Sequence, residues 1–176
     1  MGSVRGAGVV FVAMGLVLLP AAADARPQEA ARGKGGSEFL LNAVGNASFS
    51  FTAKGGPRPS GYVRTKGDPD GAGPAAPFTA EGPITCLRVD GRRAALKWRF
   101  RRATGSAAAF RGGGIETYVQ DDGRPRRGQA VDHAALDPPQ PPEAFNSRAG
   151  ECDDPDARVY ERLRVGDVTV RDVPGR

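Results

Sequence analysis

The chain is short of the residues that do chemistry on their own. Its 176 residues include two cysteines, one histidine, one tryptophan and two methionines, and aromatic residues make up 7%. Two cysteines leave one intramolecular pairing, and a lone histidine leaves a single imidazole to serve any nucleophile. Sustained helical spacing with caps is missing, and 25 glycines and 15 prolines argue against a helical bundle, because both residues destabilise helix interiors. Collagen is excluded by the lack of a Gly-X-Y period. There is no internal repeat, and the long apolar run is confined to the first twenty residues.

That run is Gly6–Leu19, 14 residues against the roughly 20 that span a bilayer. Arg5 precedes it, Pro20 breaks it, and Ala21-Ala22-Ala23-Asp24-Ala25 follows with small side chains at both positions of an A-x-A cleavage site. The order is that of a secretory signal peptide over residues 1–25, cut before Arg26 or within the alanine triplet. The expected address is therefore secreted, with no transmembrane segment after cleavage. The formal charge of +5 belongs to the exported chain, since the segment removed carries one positive and one negative residue.

Residues 26–37 (RPQEAARGKGGS) lack apolar periodicity and are expected to be a flexible leader, with order beginning near Glu38. From there, residues 38–176 form one β domain of short alternating segments punctuated by Gly, Pro and Asp. The candidate strands are Phe39–Val44, Ala47–Ala53, Ser60–Lys66, Pro77–Glu81, Ile84–Val89, Ala94–Arg102, Gly114–Gln120, Ala157–Val165 and Val168–Val173. Asp90-Gly91 marks a hairpin turn, Asp121-Asp122-Gly123 ends the Tyr118 strand, and Gly166-Asp167 is expected to separate the last two strands. A Pro-rich loop at about 121–156, in which Val131–Leu136 could add a short strand or a helical turn, is unusually long for a compact domain. The fold class expected is all-β, a single antiparallel β-sandwich or small β-barrel of about eight strands.

After export, Cys86 and Cys152 meet an oxidising environment, where a thiol pair forms a disulfide more often than a metal site. The bond would close a loop of about 67 residues, worth roughly 4 kcal/mol in the chain-entropy account. The competing reading, a thiolate nucleophile served by His133, is disfavoured because Cys86 sits in a strand-like apolar run.

Basic residues crowd between Arg88 and Arg111, and Leu96-Lys97-Trp98-Arg99-Phe100-Arg101 alternates with period two. Leu96, Trp98 and Phe100 should pack, leaving Lys97, Arg99 and Arg101 as a wet cationic face able to contact an anionic cell-envelope or extracellular polymer. Intracellular nucleic acid does not suit an exported chain. The plainer alternative is a solvated strand face that discourages edge pairing. Glu143, Glu151, Asp153, Asp154, Asp156 and Glu161 form an acidic stretch, but Asp153-Asp154-Pro155-Asp156 lacks the spacing and the glycine of an EF-hand, so no metal is expected. The bridge to Cys152 would bring this stretch beside the basic hairpin, where the charges compensate one another. No cofactor is expected either: Gly112-Gly113-Gly114 precedes a strand, not the helix N-terminus that cradles phosphate. His133 beside Asp132 is the one local acid/base pair. It supports an alternative reading as a hydrolase or isomerase with a cavity lined by Trp98, Phe100 and Tyr118. Carriage of a small ligand in such a cavity is the remaining alternative.

Ile84-Thr85-Cys86-Leu87-Arg88-Val89-Asp90-Gly91-Arg92-Arg93-Ala94 resembles the VTCLxVxGxxA strand-turn-strand of a widespread group of uncharacterised small secreted all-β proteins of high-GC Gram-positive bacteria. The later pieces of that pattern are matched by Tyr118-Val119-Gln120-Asp121-Asp122-Gly123, by Cys152 after the Pro-rich loop, and by Gly166-Asp167-Val168-Thr169-Val170-Arg171-Asp172. The resemblance covers roughly residues 46–173 and implies an all-β secreted domain with no assigned activity.

Overall fold

The computed structural model describes residues 28–37, 46–68, 77–125 and 129–173. The expected signal peptide and the candidate strand Phe39–Val44 lie outside the described residues. Ten strands follow in chain order: β1 Ala30–Ser37, β2 Asn46–Lys54, β3 Ser60–Asp68, β4 Phe78–Asp90, β5 Arg93–Arg99, β6 Arg102–Thr104, β7 Gly114–Gln120, β8 His133–Leu136, β9 Glu161–Arg162 and β10 Val165–Arg171. A short helix, α1, spans Pro142–Ser147, and 3-10 turns occupy Gly105–Phe110 and Pro155–Ala157. No described helix is long and apolar enough to cross a membrane.

The strands form one curled antiparallel sheet in the order β10-β1-β2-β3-β4-β5-β7-β8-β9, with β6 also paired to β4. Its two ends meet, because β9 runs through Leu163 and Arg164 directly into β10. Period-two patterning places the side chains as expected: Phe49 and Phe51 face inward, and Ser48, Ser50 and Thr52 face solvent. Pro77–Glu81 and Ile84–Val89 fuse into the single strand β4. Its register slips between Ile84 and Cys86, so that Thr85 is an extra residue opposite β5. Asp90-Gly91 turns β4 into β5, with Gly91 in the left-handed region at φ 54°. The expected strand Ala94–Arg102 breaks at Phe100–Arg101, where the Phe100 N–H donates to Gly113 O and the Gly112 N–H to Phe100 O, both at 2.9 Å. Within 121–156 the structure forms β8 and α1.

Two readings of the sequence are corrected. Within the segment 26–37 taken as a flexible leader, Ala30–Ser37 form β1, paired with β2 on one side and β10 on the other. Its glycines conceal the strand because they give no side chains to alternate, yet they are what the packing needs. A Cβ at Gly33 would come within 3.0 Å of Val168, and one at Gly35 within 2.8 Å of Leu163. Gly166-Asp167 is likewise not a turn between strands; both residues lie inside β10. Gly166 has φ +117°, a conformation that side chains rarely tolerate.

The core is one cluster built from Phe49, Phe51, Val63, Ile84, Leu96, Trp98, Phe100, Ile115, Val119, Leu163 and Val168, with alanines between them. The Trp98 and Phe100 rings pack at 4.8 Å between centroids, and the Trp98 indole donates to Thr117 Oγ1 at 3.0 Å.

The closure is made by carboxylates. β10 pairs with β1 along one edge, and on the other its N–H groups meet side chains in place of a strand. Val168 N–H donates to Asp132 Oδ2 at 2.6 Å and Val170 N–H to Asp121 Oδ2 at 3.1 Å. Asp132 is fully buried, and its second oxygen accepts from the Asp122 N–H at 2.8 Å. Burial pushes the Asp132 carboxyl above the usual carboxylate range, while these two amide bonds pull it back down. Asp132→Ala would strand two backbone donors, each worth about 1–3 kcal/mol when left unsatisfied and buried. Urea denaturation should show a loss of about 3 kcal/mol, with Asp132→Asn losing less because its amide keeps one acceptor.

Candidate functional site

The two cysteines are joined, with Cα atoms 5.7 Å apart. The bridge is of the kind that persists in an oxidising compartment. It fixes the segment from Gln140 to Ala157 as a strap across the outer face of β5 and β7. Gln140 bridges to Gly114, Phe145 of α1 is fully buried, and Cys152 is held beside Ala95. Beneath the strap lie the outward-facing cross-strand pairs Ala95–Tyr118 and Lys97–Glu116.

This arrangement corrects the expected cationic face. Lys97 is 3% exposed and faces Glu116, itself 3% exposed, with Nζ 3.2 Å from the carboxylate. The same ammonium donates to the strap carbonyls of Glu151, at 2.5 Å, and Arg148, at 3.3 Å. Arg99 is half-buried, lies 5.2 Å over the Phe145 ring and donates to Gly112 O and Asn146 Oδ1. Arg101 is exposed, but it sits in the bend after β5. The three residues therefore form no common surface: alternation identified the face correctly, and the strap covers it.

The acidic stretch compensates the basic hairpin, as its position after Cys152 suggests. Arg88 pairs with Asp154 at 3.0 Å and Arg93 with Asp156 at 2.7 Å. Arg148 pairs with Asp153, and Arg158 reaches both Asp153 and Asp137. Among the described residues, two carboxylate groupings, Asp90–Asp154–Asp156 and Glu116–Asp137–Asp153, bring oxygens within 4.8 Å of one another. Both are interleaved with these arginines or with Lys97, which take the charge a cation would otherwise take.

His133 and Asp132 do not form an acid/base pair. The His133 Nδ1 lies 2.7 Å from Asp122 Oδ2, and Asp132 is committed to the backbone of Val168 and Asp122. Burial pushes Asp122 upward, but hydrogen bonds from Gln120 and His133 and the nearby cations outweigh it, so its carboxyl lies below the usual range. Trp98 and Phe100 belong to the core. Tyr118 lies on the opposite face, donating to Asp137 Oδ2 and accepting from Arg158, both at 2.9 Å. The lining imagined for a catalytic cavity is thus divided between two sides of the sheet.

The open cationic surface is elsewhere, on the outer face of β1, β2, β3, β4 and β6. Antiparallel register aligns Lys34, Ser50, Arg64, Glu81 and Arg102 in one row across these five strands. Arg32, Thr52 and Tyr62 form the row on one side, and Ser48, Lys66, Thr79 and Thr104 the row on the other. Two open grooves cross the face, sharing Lys34, Ser50 and Arg64. Glu81 is held between Arg64, at 2.9 Å, and Arg102, at 2.8 Å. Arg64 also lies 5.7 Å over the Tyr62 ring. Sequence reasoning passed over this surface because its cations come from three separate strands. The available signal was the alternation of Arg32 with Lys34 and of Arg64 with Lys66, overlooked in a supposed leader and in a short strand.

Compared with protein-family models, with curated proteins and with solved structures, the chain matches none.

The buried Lys97–Glu116 pair gives a pH-dependent prediction. Burial pushes Glu116 above its ordinary value, against the Asp153 N–H bond and the Lys97 charge that pull it down. Lys97→Met leaves that carboxylate buried without its cation and should cost about 3–5 kcal/mol at pH 7. Because the folded variant then binds the Glu116 proton more tightly than the unfolded chain, its stability should recover as pH falls. Urea denaturation at pH 7 and pH 5 checks the sign: the gap between variant and wild type must narrow at the lower pH.

Proposed function

We propose that the protein is a secreted, non-enzymatic binding protein that contacts anionic polymers through the outer face of β1, β2, β3, β4 and β6. The observation that carries this reading is the open row of Lys34, Arg64 and Arg102, flanked by Arg32 and Lys66, with Glu81 between the two arginines and Asp167 of β10 opposite Lys34. Arg88 and Arg93 of the β4–β5 hairpin, and Arg148 and Arg158 of the strap and the segment after it, are spent on Asp137, Asp153, Asp154 and Asp156. The cations on this face are exposed, stand beside hydroxyl groups and line open grooves. A face of that kind gains affinity by releasing condensed counterions from a polyanion.

Secretion rests on the N-terminal pattern of charge, apolar run and A-x-A site, and the disulfide is in keeping with it. The resemblance of the Ile84–Ala94 hairpin to small secreted bacterial proteins fits the same address, and membership of that group is part of the proposal. The alternatives have less to stand on. A small-ligand carrier needs room where the aromatic and aliphatic core is packed, and a hydrolase needs Asp132 free to serve His133.

The protein should be retained on a heparin column and released by salt. Replacing Arg64 and Arg102 with Ala should lower the slope of log affinity against log salt by roughly one for each contact removed. Replacing Arg101 with Ala should leave retention unchanged. Undiminished retention of the Arg64/Arg102 double variant would remove the site assignment.

A further inference from the structure

The cations on the exposed face are spaced, and the groups between them are chosen. Along the central row, Lys34, Arg64 and Arg102 stand on β1, β3 and β6, with one strand between each pair of neighbours and Asp167 of β10 opposite Lys34 at the end of the row. Adjacent strands lie about 4.8 Å apart, so successive cations recur at roughly 10 Å. The position between Lys34 and Arg64 holds the Ser50 hydroxyl. That between Arg64 and Arg102 holds Glu81, a carboxylate placed where a closely charged polyanion would put its next charge.

The flanking rows repeat the theme. One has Lys66 among Ser48, Thr79 and Thr104, and the other has Arg32 beside Thr52 and Thr169. Each carries a single cation among neutral hydroxyls. A polymer with a charge on every unit meets Glu81 as a like charge in the middle of its path, and one bad contact of that kind is a device for rejecting a wrong partner. A polymer whose charged units alternate with neutral ones meets it with a hydroxyl, which donates to the carboxylate. The span between neighbouring cations is close to the length of a disaccharide.

Building on the polyanion reading above, we infer that the ligand is an acidic polysaccharide with its charge on alternate sugars, lying across the strands with its acidic groups on Lys34, Arg64 and Arg102 and a neutral sugar over Glu81. Tyr62, half-buried at the edge of the same groove, offers a ring on which a sugar can rest. Glu81 is the specificity-determining residue: it holds both arginines in place and excludes a continuous run of charge.

The test compares dissociation constants at fixed ionic strength for three probes. They are a hyaluronan oligosaccharide, in which uronate alternates with a neutral amino sugar; an oligogalacturonate, charged on every sugar; and a polyphosphate of matched length. The alternating polymer should bind roughly tenfold more tightly than either densely charged one, the scale of one well-placed repulsive contact. Glu81→Gln, which removes the negative charge and keeps one oxygen to accept from an arginine, should strengthen polyphosphate and oligogalacturonate binding and abolish the preference. Affinity that simply follows charge density in the wild type, or a preference that survives Glu81→Gln, overturns the inference while leaving the polyanion site standing. Failure of all three probes to bind overturns both.

Discussion

The Cys86–Cys152 bond determines which charges of this protein are available. By tethering the strap to β4, it turns the outer face of β5 from a solvated surface into a second interior. A closed loop of 66 residues' separation is worth roughly 4 kcal/mol in the chain-entropy account. That is a large share of the 5–15 kcal/mol typical of a domain. Its larger consequence is electrostatic. Once Lys97 and Glu116 are covered, neither can exchange its partner for water, and the strap carbonyls of Arg148 and Glu151 become part of the ammonium's solvation.

A second set of carboxylates does comparable work at the far end of the sheet. Curling an antiparallel sheet until its ends meet leaves a seam where regular pairing gives out. Here, Asp132 and Asp121 supply the acceptors that a neighbouring strand would have offered to Val168 and Val170. The acid beside the only histidine is therefore structural. Two acidic segments, around 121–132 and 151–156, hold the seam and the strap, and both answer groups within the molecule. Lys34, Arg64 and Arg102 stand on a sheet face whose ion pairs involve neither segment.

That division of labour is what the proposed binding role rests on. The interior is filled by aromatic and aliphatic side chains. The titratable groups in the buried networks are matched with opposite charges or amides. What remains exposed and convergent is a patterned surface of cations and hydroxyls, rigid because it is built on paired strands.

Much of the fold is legible in the sequence, because period-two alternation and Asp-Gly turns act over a few residues. β2, β3, β7 and the β4–β5 hairpin could be placed that way, and the pairing of the two cysteines followed from their number and the expected export. β1 was hidden because Gly33, Gly35 and Gly36 make room for Val168, Leu163 and Val165 across the sheet, and absence of a side chain carries no local signal. The candidate site was legible as a charge but not as a place. Lys97 and Arg99 share one face of β5, and only the strap, brought over them by Cys152, takes that face out of solvent, while Arg101 lies in the bend beyond the strand. Lys34, Arg64 and Arg102 are scattered along the chain, and only strand register puts them in a row. Composition and periodicity thus settled that the chain would be built of strands, basic and bridged once. Which cations meet solvent was decided by tertiary contacts, since burial depends on what packs above a residue and not on its neighbours in sequence.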